Sequence, residues 1–283
     1  MIIDFRMKPP IPGWEKLFEE GKDAVPRFHR LEGVKPVPSD TLEEVIGELD
    51  SFGITYAVVM GRGNEPGSSN EELAAFLTGP SSGRFIGFIG VDSPDVEGAL
   101  ATIDKYAATG LFRGVSLNAS DLLPHLPVGD SSWDPIFEAC VKRRLPLSIT
   151  LSGYLGMNGP RNDYDFARPS RLARAAKTYP ELNIIVSHGA WPFVSEAIAM
   201  ASYYPNIYLS PDLFLGFPQG KLYAEAANLH LSNQLLYGSC YPNVSYEFAL
   251  SHFKNQQWNE GVLDKVLYSN GARLLGLPTA PPL

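Results

Sequence analysis

The sequence predicts an α/β protein, a (β/α)8 TIM barrel formed by a single domain over residues 1–283. Eight short apolar segments alternate with helical patterns along the chain. Each segment is apolar on both faces and is bounded by Gly, Pro or Asn, as is typical of buried parallel strands. A chain of this length can bury a large core, and eight such strands are expected to close into a barrel. A doubly wound open sheet is the alternative, but no glycine-rich dinucleotide turn is found.

The chain opens with a first strand in MIIDFRMKPP. Side chains alternate along a strand, so Arg6 and Lys8 are expected on one face. Residues Pro9 to Asp40 are rich in Pro, Gly and charge, which predicts an irregular insertion that covers one end of the domain. Thr41 then predicts a helix start, because Glu44 three residues later completes a capping box for TLEEVIGELDSFG.

The remaining elements follow from the two hydrophobic periodicities, continuous apolar runs for buried strands and amphipathic spacing for helices. The next strands are predicted in TYAVVMG, RFIGFIGVD, FRGVSLN, PLSITLS, NIIVSHG, NIYLSPD and QLLYGSCYP. The helices between and after them are predicted in SNEELAAFLT, DVEGALATIDKYAAT, SSWDPIFEACVKRR, PSRLARAAKTYP, PFVSEAIAMASYYP, KLYAEAANL, SYEFALSHFKN and VLDKVLYSNGARLLGL. The alternation therefore runs from the first residues almost to the end of the chain.

Composition limits the partners. The net charge of −8 comes from scattered acidic residues, and no basic stripe could follow a phosphate backbone, so nucleic acid is not expected as a partner. No secretion signal and no apolar run of ~18 to 20 residues are present, which predicts a cytoplasmic protein that does not bind membranes. Cys140 and Cys240 are far apart in sequence, so neither a disulfide framework nor a structural zinc motif is indicated. A homo-oligomer remains open.

Catalytic groups of a barrel stand where its strands end. Polar and mostly cationic residues occupy these positions in the sequence. They are Arg6 and Lys8 after strand one, Arg62 after strand two, Asn118 after strand four, Thr150 after strand five, His188 after strand six, Asp212 after strand seven, and Cys240 and Tyr241 after strand eight. The sequence therefore predicts a cationic site at one end of the barrel.

Six segments, taken in order, resemble the amidohydrolase superfamily, in the branch of aminocarboxymuconate semialdehyde decarboxylase, related benzoate decarboxylases and lactone hydrolases. The segments are IIDF, RFIGFIGVDSPD, FRGVSLN, Trp133 to Ser152, LNIIVSHGAWP and LLYGSCYP. The resemblance covers nearly the whole chain and implies a barrel enzyme. It departs from the family at strand eight, where members usually read Gly-Ser-Asp-Tyr-Pro.

The resemblance also implies a metal site, and the residues disagree with it. Metal-binding members take histidines from strand one and the end of strand five and an aspartate from strand eight. Those positions match Arg6, Lys8, Thr150 and Cys240 here, and His188 alone keeps the family residue type. A guanidinium cannot lose its proton to ligate a metal. We therefore expect no metal cofactor, with a zinc site of His188, Asp212 and Cys240 as the alternative.

Arg6 and Lys8 can supply positive charge and hydrogen-bond donors where relatives carry the ion, and so hold a carboxylate or a developing oxyanion. His188 is the expected acid–base group because its pKa lies near neutrality. Lys8 and Cys240 are the other predicted catalytic residues. Predicted substrate contacts are Arg6, Arg62, Asn118, Thr150, Asp212 and Tyr241, with Tyr154 and Trp191 as an apolar wall.

The predicted function is hydrolysis of a small carboxylated or lactone-type substrate without a metal. Decarboxylation or isomerisation on the same fold is the nearest alternative. A barrel that has lost catalysis and binds a small anion is a third. Purely structural roles also remain open, since Arg6 can form a buried ion pair with Asp212 or Asp4, and Cys240 can be a packing residue.

Overall fold

The structure is a computed structural model that describes residues 1–15, 17–18, 37, 39, 41–62, 67–80, 82–91, 95–118, 127–152, 165 and 168–279. Most of the predicted insertion, Pro9 to Asp40, lies outside these residues, as does Tyr154. In the described ranges, no helix combines the length and the apolar character needed to cross a membrane.

Seven parallel strands form one curled sheet, and each pairs with the next along the chain. The strands are β1 Ile2–Met7, β2 Ile54–Met60, β3 Phe85–Gly90, β4 Phe112–Leu117, β5 Leu147–Thr150, β6 Ile184–Ser187 and β7 Ile207–Ser210. Each falls within a predicted strand or within a residue of it. Because all seven are parallel, their carboxyl ends lie at the same edge, where the predicted site residues begin.

Helices separate the strands, as the alternation predicts. The described helices are α1 Leu42–Ser51, α2 Asn70–Leu77, α3 Val96–Ala107, α4 Asp134–Arg143, α5 Ala173–Thr178, α6 Val194–Tyr203, α7 Lys221–Ala226, α8 Tyr246–Lys254, α9 Val262–Asp264 and α10 Asn270–Leu275. The predicted capping box of α1 is present, with Thr41 and Glu44 bonded to each other's backbone. Single π-helical turns extend α7 and join α9 to α10.

The predicted eighth strand, 234–242, is not a regular strand. Leu235 forms an isolated bridge with Leu209 of β7, and Tyr241 forms one with Met7 of β1, so this segment contacts both outer strands of the sheet. Its ladder is interrupted because the amide of Ser239 donates to the carboxylate of Asp4 rather than to a carbonyl. The structure thus shows seven regular strands, and this segment pairs with the two outer ones through single bridges.

A β-bulge near the end of β1 changes which residues face the inner side of the curled sheet. Asp4 pairs with Ala57 and Met7 with Val59, so β1 has one residue more than β2 between these pairs. Phe5 packs on the inner face, where its ring meets Phe88. Bulges commonly redirect side chains next to active sites. Here the extra residue allows Arg6 to lie on the same side as Phe5.

Strands β2 and β3 approach closely where they end, near the site. Substitution of the glycines there tests this packing. An added Cβ at Gly90 would collide with the backbone of Gly61, whereas Gly47, on the exposed face of α1, has open space. We expect Gly90→Ala to lower the free energy of unfolding by about 1–3 kcal/mol. The control Gly47→Ala should raise it by up to about 1 kcal/mol. Urea unfolding measures both, and a fully stable Gly90→Ala protein would contradict this packing.

Candidate active site at the carboxyl ends of the strands

Asp212 is the centre of a buried cluster at the ends of β6 and β7, and only 1% of its surface is exposed. Its Oδ1 accepts a hydrogen bond of 2.6 Å from the Ser210 hydroxyl, and its Oδ2 accepts one of 3.1 Å from the His188 amide. Oδ2 also lies 2.9 Å from Nδ1 of His188, although Nδ1 forms no well-aligned hydrogen bond. Asp212 therefore binds the backbone of His188 and lies against Nδ1 of its ring.

Arg6 enters the same cluster from β1. Its side chain is almost fully buried, and its Nε lies 3.9 Å from Oδ2 of Asp212, which is too long for a hydrogen bond. Within the described residues, Nε and Nη1 are buried and have no hydrogen-bond partner. Buried donors without partners are costly and rare in native proteins. This guanidinium therefore keeps buried donors that a further acceptor could use.

The electrostatics of the cluster keep His188 neutral. Burial, followed by the positive charge of Arg6, lowers the pKa of His188 from 6.5 to about 4, against the opposing effect of Asp212. The charge of Lys8 acts in the same direction as that of Arg6. At neutral pH the imidazole can consequently accept a proton, as a general base requires.

Three residues at the carboxyl edge of the sheet share an uncommon backbone conformation. His188, Asp212 and Cys240 have φ values of 64°, 54° and 63°, in the left-handed region that residues other than glycine seldom occupy. Such conformations cost about 1–3 kcal/mol each and concentrate at functional sites. Gly238 has a different role, since a Cβ there would collide with the Asp212 carboxylate. The backbone is thus adapted to bring these side chains together.

An aromatic group adjoins the imidazole. The Trp191 ring stacks on Phe214 with centroids 5.7 Å apart and meets Phe217 edge-on at 5.1 Å. Phe214 also contacts His188 edge-on at 5.2 Å. The predicted apolar wall therefore includes Trp191 and two phenylalanines that the sequence did not single out, because they lie in the loop after β7.

Cys240 and Lys8 lie near this cluster in different surroundings. The sulfur of Cys240 accepts a hydrogen bond of 3.2 Å from the Asn243 amide. The Cys240 side chain packs in an apolar cluster with Leu213, Phe214, Val244 and Phe248. The Lys8 ammonium lies 5.6 Å from the centre of the Trp14 ring. Cys240 therefore has the contacts of a packed thiol, and Lys8 has those of a cation at the edge of the site.

The other residues predicted to contact a substrate lie at several different strand ends. Asn118 and Thr150 are buried at the ends of β4 and β5, and Arg62 follows β2, where it pairs with Ser69. Tyr241 points away from Asp212, since its hydroxyl donates to Glu48 of α1 and its ring stacks on Tyr246. Among the described residues, the structure thus brings Arg6, His188, Asp212 and Trp191 together, but not Tyr241.

Sequence reasoning missed the buried hydrogen bonds that Asp4 makes next to the site. Asp4 is fully buried, and it accepts hydrogen bonds from the amides of Arg6 and Ser239 and from the Ser239 hydroxyl. Burial raises the pKa of Asp4 from 3.8 to about 7, against these hydrogen bonds. An acidic residue inside an apolar strand was the available signal, because a buried carboxylate needs specific partners.

The donor set does not fit the divalent metal that the family resemblance implies. A guanidinium and an ammonium occupy the strand-one positions, and neither ligates a metal while protonated. The sulfur of Cys240 is directed into apolar packing with the Asn243 amide. Across the described ranges, no group of three His, Cys, Asp or Glu side chains is placed to share an ion. We derive no chemistry through a metal here.

A parallel sheet with a buried polar cluster at its carboxyl ends is the arrangement of barrel enzymes. The chain belongs to the amidohydrolase family, whose family model matches residues 27–277. The family resemblance seen in the sequence is thereby confirmed. No curated protein sequence gives a significant match.

Solved structures of similar fold cover the chain almost completely. An uncharacterised TIM-barrel protein from Bordetella bronchiseptica is 28% identical with a TM-score of 0.87, over 97% of this chain and 98% of that one. The 5-carboxyvanillate decarboxylase of Sphingomonas paucimobilis is 15% identical with a TM-score of 0.68, over 98% and 99%. A probable 2-pyrone-4,6-dicarboxylic acid hydrolase of Acinetobacter baumannii is 14% identical with a TM-score of 0.65, over 98% and 99%. The last two show likeness of fold alone.

The electrostatics of His188 can be measured by NMR titration of the imidazole signals. We expect His188 to titrate near pH 4, and Arg6→Met to raise its pKa because a neighbouring cation is removed. His252 is the control, since burial alone lowers its pKa and Arg6→Met should leave it unchanged. Because the folded pKa is below the unfolded 6.5, His188 contributes stability above pH 6.5 that is lost as the pH falls towards 4. A His188 pKa near 6.5 in the native protein would contradict this site.

Proposed function

We propose that this protein is a hydrolase of the amidohydrolase family that acts on a small carboxylated or lactone-type substrate without a metal ion. One observation carries the proposal. Arg6 is a buried cation whose Nε and Nη1 have no hydrogen-bond partner among the described residues, and it lies beside an imidazole that Asp212 orients. A cation, a neutral base and a carboxylate in one buried cluster suit acyl-transfer chemistry.

In the proposed reaction, Arg6 and Lys8 hold the substrate carboxylate or polarise the carbonyl that is attacked. Nε2 of His188 removes a proton from water, and the water oxygen adds to the carbonyl carbon. The resulting oxyanion is stabilised by the guanidinium, whose donors are already in place. When the bond to the leaving group breaks, the imidazolium returns the proton to that group. Asp212 stabilises the imidazolium during these steps.

The low pKa of free His188 is compatible with this role. An anionic substrate beside Arg6 compensates the cation that disfavours the imidazolium, and so raises the pKa of His188 towards neutrality. Substrate binding thereby makes His188 a stronger base at the moment when it is needed. We also propose that segment 234–241 completes the sheet as the eighth strand of a closed barrel, because it is bonded to both β7 and β1.

Decarboxylation is the second candidate reaction. The apolar wall of Trp191, Phe214 and Phe217 favours it, because such surroundings suit a planar ring and destabilise a carboxylate relative to carbon dioxide. The same Arg6 would then orient the carboxylate. His188, protonated once the bound anion has raised its pKa, would transfer that proton to the ring carbon from which carbon dioxide leaves. Product analysis separates the two reactions.

Turnover assays test the function with lactones, 2-pyrone-4,6-dicarboxylate and 5-carboxyvanillate. We expect His188→Gln to lower kcat by about 10²–10⁴-fold, since it removes the base. Arg6→Met should raise KM and lower kcat, because it removes both anchor and oxyanion donor.

The matched control is His230→Gln, since His230 is exposed on the π-helical turn after α7. It should leave turnover unchanged. Full activity of His188→Gln would end the mechanism. Binding of these acids without any conversion would instead support an anion-binding protein that has lost catalysis.

A further inference from the structure

Asp4 connects β1 to segment 234–241 through one buried carboxylate. Its Oδ1 accepts hydrogen bonds from the amides of Arg6 at 3.0 Å and Ser239 at 2.8 Å. Its Oδ2 accepts one of 2.5 Å from the Ser239 hydroxyl. Asp4 pairs with Ala57, which packs on the outer face of the sheet. The carboxylate therefore lies behind the site and does not face a substrate.

The two amides that donate hydrogen bonds to Asp4 belong to β1 and to segment 234–241, which both carry site residues. Arg6 is in the bulge of β1, where the regular ladder with β2 is broken. Ser239 precedes Cys240, whose amide donates to the Arg6 carbonyl at 2.8 Å. The amide and the carbonyl of Arg6 are thus both bound, one by Asp4 and the other by Cys240. This leaves the backbone of Arg6 little freedom although it lies outside the ladder.

We propose that Asp4 is a positioning residue, which fixes the bulge of β1 so that the Arg6 guanidinium is held beside His188 and Asp212. The inference deepens the proposed function and rests on its anion site. An unconstrained bulge would let β1 return to regular alternation, and Arg6 would then turn to the outer face. The carboxylate of Asp4 opposes that change of register because it binds both β1 and segment 234–241.

The surroundings of Asp4 are consistent with this role. The hydroxyls of Tyr237 and Tyr246 are buried nearby, and neither has a hydrogen-bond partner in the described part of the chain. Burial raises the pKa of Asp4 to about 7, so its carboxyl is largely protonated in mildly acidic solution. An asparagine there keeps an acceptor oxygen for both amides and is a close mimic of the protonated form.

The test compares Asp4→Ala with Asp4→Asn. Asp4→Leu is added as a second variant, which removes the acceptors but fills the volume. Asn206→Ala is the matched control, because the largely buried Asn206 also makes three hydrogen bonds, to the carbonyls of Ala176, Tyr179 and Leu182, away from the carboxyl ends. Calorimetry measures the affinity of the anion site for benzoate. Hydrogen exchange at the amides of Arg6 and Ser239 measures how stably β1 is bound to segment 234–241.

We expect Asp4→Ala and Asp4→Leu to weaken benzoate binding by about tenfold or more and to raise exchange at both amides by a similar factor. Asp4→Asn should stay within about threefold of the wild type in both measurements. Asn206→Ala should be less stable but bind benzoate as the wild type does. Wild-type affinity or unchanged exchange in Asp4→Leu would overturn the proposal, as would equal loss of affinity in Asp4→Asn.

The two proposals fail differently. If the wild-type protein does not bind benzoate and converts none of the assayed acids, the anion site fails. The exchange rates of Arg6 and Ser239 still decide then whether Asp4 fixes the bulge. If benzoate binds equally well in all four variants, the anion site stands and the positioning role of Asp4 is wrong.

Discussion

The buried contact between Asp212, His188 and Arg6 is the interaction on which the site depends. A carboxylate, an imidazole and a guanidinium share a volume from which water is largely excluded, with exposures of 1%, 4% and 6%. Charges in such surroundings are costly unless they are paired. Asp212 pairs with the backbone and ring of His188, but Arg6 stays 3.9 Å away and keeps unused donors. That incomplete pairing is the observation that supports the proposed anion site.

Local departures from regular secondary structure position the side chains of this cluster. A bulge places Arg6, left-handed residues place His188 and Asp212, and Gly238 leaves room for the carboxylate. Each departure costs free energy that the surrounding core must offset. Such concentration of unfavourable conformations at one edge of a regular sheet is the pattern expected when site geometry outweighs local stability.

The sequence was sufficient for seven strands and for the family, because buried parallel strands are continuous apolar runs with clear boundaries. At 234–242 the apolar run is intact, but the segment forms no regular strand because Asp4 takes an amide from the ladder. Arg6, His188 and Asp212 could be found by their position at strand ends. Asp4 was signalled only as an acidic residue inside an apolar strand. Its partners, like the position of Phe214, depend on a bulge and on a loop conformation that no period in the sequence records.

We propose that Arg6 and Lys8 replace a metal ion in this member of the amidohydrolase family. The metal content of the purified protein tests it most directly, measured by mass spectrometry after growth with added zinc and manganese. We expect far less than one transition-metal ion per chain. A stoichiometric ion, retained through purification and lost on substitution of His188, would contradict it.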